Sequence, residues 1–216
     1  MISRADRIRS ALLALRFRRG DRAAFEDLAA VWEKPLFYYI RRLTRSEEDA
    51  WDVSQNLWVC VFRKLGQLRD PDSLAPWLYR IARNTAFNHF HANPDWDALS
   101  GVDVDAIEDE RTPSAKFSSA DAEAIHHALD QLPVPQREAL TLFFLEEFTL
   151  QEISAITGAA VGTVKSRLYY GKRALREIIQ REASHNREDF GIASLPATST
   201  PHSKDAGKEA KGGDLP

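Results

Sequence analysis

The chain has 216 residues and a net charge of −3, with 44% apolar and 28% charged residues, which at ordinary domain sizes allows one domain or two small ones. A single cysteine, Cys60, excludes an internal disulfide framework, and no spaced set of Cys and His suggests a zinc ribbon or another metal site. The apolar run ALLAL at 11–15 is hemmed in by arginines and too short for a signal h-region or a membrane span, so a cytoplasmic protein with no membrane partner is expected.

In chain order, apolar spacing predicts a helix over about 3–18, a helical stretch from Asp21 to Thr44, a helix from Glu47 to Leu65 and one from Ser73 to Phe90. Pro35 lacks an N–H and is expected to break or kink the second of these, making two helices in succession. Val53, Leu57 and Val61 form a stripe on the third helix with Trp58, Phe62 and Leu65 beside it, which predicts neighbours over most of its surface. A helix near 119–131 follows, then a break at Pro133 and Pro135, a helix from Gln136 to Glu146, and a short helix opening at Thr149. No β-like alternation of any length stands outside these patterns, so both folded parts are expected to be all-α.

Charge is polarised along the chain. Residues 1–22 carry seven arginines against Asp6 and Asp21, residues 93–123 carry nine acids against Arg111 and Lys116, and residues 160–182 carry six cations against Glu177 and Glu182. The expected organisation is two small helical domains, 1–92 and 119–183, joined by an acidic linker at 93–118. The Ser, Thr, Pro, Gly and Lys-rich tail at 184–216 is expected to be disordered, because it cannot bury enough surface to offset its ordering entropy.

Thr149-Leu150-Gln151-Glu152 has the spacing of a capping box, and Gly158 is placed to end the helix that it opens. The next helix is predicted from about Val161 to Arg181, with Val161, Val164, Leu168, Leu175 and Ile178 on one stripe. Ser166, Tyr169, Tyr170 and Arg173 lie farthest from that stripe, flanked by Lys165, Arg167 and Lys172. Two helices joined by a glycine turn, the second basic outside, form a helix-turn-helix that suits the DNA major groove. From Thr163 onward the first turns reach base edges, with Lys165 and Ser166 as donors to guanine, while Arg167, Lys172 and Arg173 suit phosphates. An ordinary solvated helix face would explain the charges alone, but not cap, turn and basic face in one short unit.

From Trp77 to His91, Leu78, Ile81, Ala82 and Thr85 are expected to face inward, leaving Arg80, Arg83, Asn84, Phe87 and His91 on another face. Cations, an amide and an aromatic together suit unstacked single-stranded bases, although the same residue types also share plain helix surfaces.

These segments together resemble the extracytoplasmic-function type of the bacterial RNA polymerase sigma factors of the sigma-70 family. FTLQEISAITGAAVGTVKSRLYYGKRALRE at 148–177, with its GTVKSRL core, resembles the promoter −35 reading motif; WLYRIARNTAFN at 77–88, beginning at Trp77, resembles the −10 melting helix. EEDAWDVSQNLWVCVFRKL at 47–65 resembles the polymerase-binding segment, matching at Asp49, Asp52 and Gln55. Trp51 and Asn56 stand where that family usually has Glu, and Tyr170 where many members have Arg. The resemblance implies that Asp49, Asp52, Gln55 and Asn56 dock on core RNA polymerase and that Asn84, with the loop 66–74, holds a flipped base of promoter DNA. It further implies promoter recognition with assisted melting, and an anti-sigma factor as a further class of partner.

His126 and His127 are adjacent and point to different faces, His89 and His91 lack further ligands, and Cys60 lies in an apolar helix where buried free thiols are common. With no phosphate-cradling glycine loop or nucleophile elbow, neither a cofactor nor enzymatic activity is expected. The rival readings are a helix-turn-helix regulator that acts without polymerase and an adaptor that has lost DNA binding. Asp52 and Gln55 with the WLYRIARN helix speak against the first, and the basic face from Lys165 to Arg173 against the second.

Overall fold

The computed structural model describes residues 2–90 and 119–189, and every regular element among them is helical. The N-terminal part holds α1 (Arg4–Arg18), α2 (Ala23–Leu43), α3 (Glu47–Lys64) and α4 (Leu74–Phe90), with short 3-10 turns at Leu65–Gln67 and Pro71–Ser73 between the last two. The C-terminal part holds α5 (Ser119–Asp130), α6 (Val134–Leu140), α7 (Leu150–Thr157) and α8 (Val161–Asp189). The linker expected at 93–118, His91 and the tail beyond 189 lie outside the described residues; α8 continues past 184, where the tail was expected to begin.

Serines open two of the N-terminal helices. Ser3 accepts from the Asp6 amide at α1 and Ser46 from the Asp49 amide at α3, each satisfying one of the amides left free in a first turn. Phe17 of α1, Phe25 of α2 and Phe62 of α3 meet with ring centroids 5.0–5.7 Å apart, which fastens three helices at one point. Trp32 is buried and its indole N–H donates to the Ser10 hydroxyl at 2.8 Å, so a polar atom inside this core is satisfied.

Pro35 does not split α2, which runs unbroken through it. Trp32 and Leu36, on either side, are fully buried in the same core. Burial of two such side chains, at about 1.5 to 3 kcal/mol each, offsets the roughly 3 kcal/mol that an interior proline costs a helix. Val53, Leu57 and Val61 of α3 are buried as expected, but Trp51, Val59 and Phe62 are large exposed residues, so the helix is covered on one side rather than on most of its surface.

The helix expected at 136–146 is also different. Pro135 falls in the first turn of α6, where its missing N–H has no partner to lose, and after Leu140 the backbone widens into a π turn at Thr141–Leu145. The Glu146 amide donates to the Thr141 carbonyl at 3.1 Å, Glu147 takes a left-handed conformation at φ 58°, and the Phe148 amide returns to Leu142 at 3.0 Å. That reversal turns Phe148 inward, against Tyr79 at 4.9 Å and below the Arg7 guanidinium at 5.3 Å.

The described residues up to Gln180 form one compact unit. Its buried apolar residues run without interruption from α2 and α4 into α6, α7 and α8, so the two helical parts share a core. Gly171 lets α8 approach α6 closely: a Cβ there would lie 3.1 Å from Leu140 Cδ1.

Candidate nucleic-acid interface

The helix-turn-helix is built by its caps. The Thr149 hydroxyl accepts from the Glu152 amide at 3.3 Å and the Glu152 carboxylate accepts from the Thr149 amide at 2.8 Å, forming the expected capping box. Gly158 ends α7 in the left-handed region at φ 72°, which only glycine adopts without cost, and its amide donates to the Ser154 carbonyl at 2.8 Å. The Ser154 hydroxyl then closes the turn onto the Ala159 carbonyl at 2.7 Å. Ile153, Ile156, Val164 and Leu168 are buried beneath the two helices, fixing their mutual angle.

On α8, Tyr169, Tyr170 and Arg173 are exposed, and Thr163, Lys165, Arg167 and Lys172 are half-buried beside them. The two tyrosines pack edge to face at 5.3 Å. Arg173 donates to Glu177 one turn on, at 3.1 Å, but both side chains are solvated, and water screens such a pair too strongly for it to withhold the cation from a phosphate. Ser166 departs from expectation. It is buried, and its hydroxyl donates to the Gly162 carbonyl at 3.0 Å, because a small side chain on a helix packed on more than one side is absorbed by its own backbone.

The expected α4 face divides in two. Arg80 and Asn84 are exposed, whereas Trp77, Arg83 and Phe87 are half-buried, and Arg83 lies 4.0 Å above the Phe87 ring. Arg83 Nε donates at 2.9 Å to Glu138, a carboxylate of α6 with no solvent exposure, and the Tyr39 hydroxyl of α2 donates to the same Oε1 atom at 2.7 Å. Burial, and then the neighbouring Glu138 charge, hold the Tyr39 phenol well above its ordinary pKa, so it is a fixed donor. Sequence reasoning missed both Tyr39 and Glu138. The one available signal was that Glu138 is the single acid between Val134 and Leu145.

On α3, Asp52, Gln55 and Asn56 are exposed, and Trp51 stands among them with its ring 4.3 Å from Phe37. Asp49 is different, because its carboxylate accepts from the Ser46 hydroxyl at 2.7 Å and lies 3.4 Å from His89 of α4. The Ser46 bond holds this carboxyl below its usual range. Among the described residues no group of three or more His, Cys, Asp and Glu is placed to hold a metal, and no helix is long and apolar enough to cross a membrane. His126 bonds to Tyr38 at 2.9 Å, and Cys60 is partly buried against the core.

The family description Sigma-70 region 2 matches residues 28–93, which include α3 and α4, and Sigma-70, region 4 matches residues 122–175, which include the helix-turn-helix. RNA polymerase sigma-H factor of Pseudomonas aeruginosa is 32% identical over 179 residues, covering 78% of this chain and 92% of that protein. The chain belongs to the sigma-70 family of RNA polymerase sigma factors. ECF RNA polymerase sigma-E factor of Escherichia coli K12 is 30% identical over 188 residues, covering 82% of this chain and 97% of its own, which puts the sigma factor in the extracytoplasmic-function group. Sigma factors bind core RNA polymerase and direct it to promoter DNA in transcription initiation; they are initiation factors rather than catalysts. Two solved structures share the fold. CnrH in complex with the cytosolic domain of CnrY has a TM-score of 0.58 at 22% identity, covering 80% of this chain and 98% of that one. Sigma factor RpoE in complex with the anti-sigma factor NepR from Bartonella quintana has a TM-score of 0.56 at 23% identity, covering 72% and 96%.

Proposed function

We propose that this sigma factor divides promoter recognition between α8 and α4 and holds polymerase through α3. In this reading Lys165 and Tyr170 meet base edges of the −35 duplex, with Thr163 at the helix start, and Arg167, Lys172 and Arg173 meet phosphates. Arg80, Arg83 and Asn84, with Trp77 and Phe87, engage the melted −10 strand and so assist opening. Asp52, Gln55 and Asn56 are the polymerase contacts; Asp49 contributes more through capping α3 than through direct docking. Residues 1–92 and 119–183 are the two working domains, with 93–118 as their tether.

The observation that carries this reading is the recognition helix: a doubly capped turn presents Tyr169, Tyr170 and Arg173 to solvent with three further cations beside them. A face of that kind has little use in a core and suits a polyanion. The complexes of CnrH with CnrY and of RpoE with the anti-sigma factor NepR support an anti-sigma factor as a partner for this chain too. The reading makes the protein a cytoplasmic factor without catalysis of its own.

Run-off transcription with purified core polymerase on a genomic promoter library tests it. Promoter-selective transcripts that depend on the factor are expected. Lys165→Ala relaxes the selected −35 sequence, whereas Arg173→Ala lowers DNA affinity alike across sequences. DNA binding with no selective transcription would favour a regulator that acts without polymerase.

A further inference from the structure

The oxygen that joins α6 to the N-terminal part is bound as a ligand would be. Glu138 Oε1 receives both the Arg83 Nε–H and the Tyr39 hydroxyl, at 2.9 and 2.7 Å, while Oε2 has no hydrogen-bond partner among the described residues. A guanidinium N–H and a hydroxyl converging on one anionic oxygen are the donors with which proteins hold DNA phosphates. The two donors come from α2 and α4, on the N-terminal part, and the carboxylate comes from the C-terminal part.

We propose that Tyr39 and Arg83 form a backbone-phosphate site for single-stranded promoter DNA, and that in the free sigma factor the Glu138 carboxylate occupies it. The proposal deepens the assignment of α4 to the −10 strand and rests on it; it adds Tyr39 as a ligand and Glu138 as an internal competitor. Arg80 and Asn84 remain exposed on the same helix, so the free protein offers a strand part of its binding face and withholds the rest. Carboxylate and phosphate compete for the same two donors, so DNA binding and release of Glu138 are linked, and any partner that draws α6 away from α4 strengthens DNA binding. The unpartnered Oε2 is suited to such an exchange, since released Glu138 regains water at both oxygens. Arg173 and Glu177 on α8 provide a contrast: both side chains are solvated, so that pair hides nothing.

The test uses the full chain and a fluorescein-labelled oligothymidylate of about 20 nucleotides, followed by anisotropy over a range of salt. Glu138→Gln is expected to tighten binding by about fivefold or more and to steepen the salt dependence by about 0.7 in the log–log slope, the increment for one added phosphate contact on a single strand. Glu147→Gln removes the same charge from an exposed site on the same segment and is expected to change neither by a comparable amount. Adding Arg83→Gln or Tyr39→Phe to Glu138→Gln is expected to reverse the gain, wholly for the first and partly for the second. Glu138→Asp keeps the charge but draws the carboxylate back from both donors; it is expected to shift binding in the same direction, and it serves if Glu138→Gln fails to fold.

Equal behaviour of Glu138→Gln and Glu147→Gln overturns the masking, and a gain that survives Arg83→Gln overturns the phosphate site. The α4 assignment is tested apart, in holoenzyme. Loss of promoter opening in Arg83→Gln without any gain in Glu138→Gln removes the mask and leaves α4 on the −10 strand. No loss of opening from Arg83→Gln or from Asn84→Ala removes the α4 assignment itself.

Discussion

The Arg42 guanidinium of α2 donates to Asp130 of α5 at 2.7 Å and, through the same nitrogen, to the His126 carbonyl at 3.2 Å, so one buried cation holds the last turn of α5. It lies 4.9 Å above the Tyr38 ring, and Asp130 is shared with Arg137 of α6 at 3.4 Å. Asp130→Asn is expected to destabilise the chain by about 1 kcal/mol, a modest cost because the carboxylate is itself 43% exposed and screened by water. Arg42→Ala loses the packing on Tyr38 as well and is expected to cost about 2 to 3 kcal/mol. Urea unfolding of the two variants measures the difference; equal losses would mean that the ion pair alone fastens α5.

His126 makes this contact sensitive to acid. Burial, and then the Arg42 charge, push its imidazole below the ordinary 6.5, while Asp130 pulls it back. A depressed base favours the neutral ring in the folded chain. Its stabilising contribution is therefore complete above the unfolded pKa and is lost as pH falls below 6.5 towards the folded value. The urea midpoint is expected to fall on acidification from about pH 7.5 to about pH 5.5, and less steeply in His126→Gln. Glu146 acts with the opposite sign, because burial pushes its carboxyl up and the folded chain favours its protonated form. Measuring in a Glu146→Gln background isolates the histidine, and an unchanged slope in His126→Gln would assign the acid response elsewhere.

Gly171 and Thr149 carry different kinds of local constraint. Gly171→Val forces branched atoms into the space occupied by Leu140 and is expected to cost about 1 to 3 kcal/mol. In Gly171→Ala the same approach is softened by a gain in helix propensity of up to about 1 kcal/mol, giving a near-neutral change. Thr149→Ala loses a capping hydrogen bond and is expected to cost about 1 kcal/mol. Thermal unfolding ranks the three, and a Val variant as stable as the parent would show that α6 can withdraw.

Asn84 is exposed, so Asn84→Ala should change stability by no more than about 0.5 kcal/mol. If its amide holds an extruded base, the variant keeps −35 binding but forms less open complex, read by permanganate reactivity of unpaired thymines. A template pre-melted across −10 is expected to restore part of its transcription. Parent-like opening on the duplex would remove the residue from the melting surface.

Local rules settle much of this protein before any fold is known. Thr149 with Glu152, Gly158 in a left-handed turn and the Val53–Leu57–Val61 stripe follow from hydrogen-bonding capacity, steric freedom and helical period, which involve residues a few positions apart. The basic outer face of α8 was legible for the same reason, apart from Ser166. Other features depended on partners distant in the chain. Pro35 stayed inside a helix because Trp32 and Leu36 found one core; half of α4 is covered because α7 packs there; and Glu138 became a buried ligand of Tyr39 and Arg83, residues 99 and 55 positions away. Periodicity reports that a residue faces inward or outward along its own helix, but the identity of what it meets is set by packing free energy summed over the whole chain, and only the tertiary structure carries that sum.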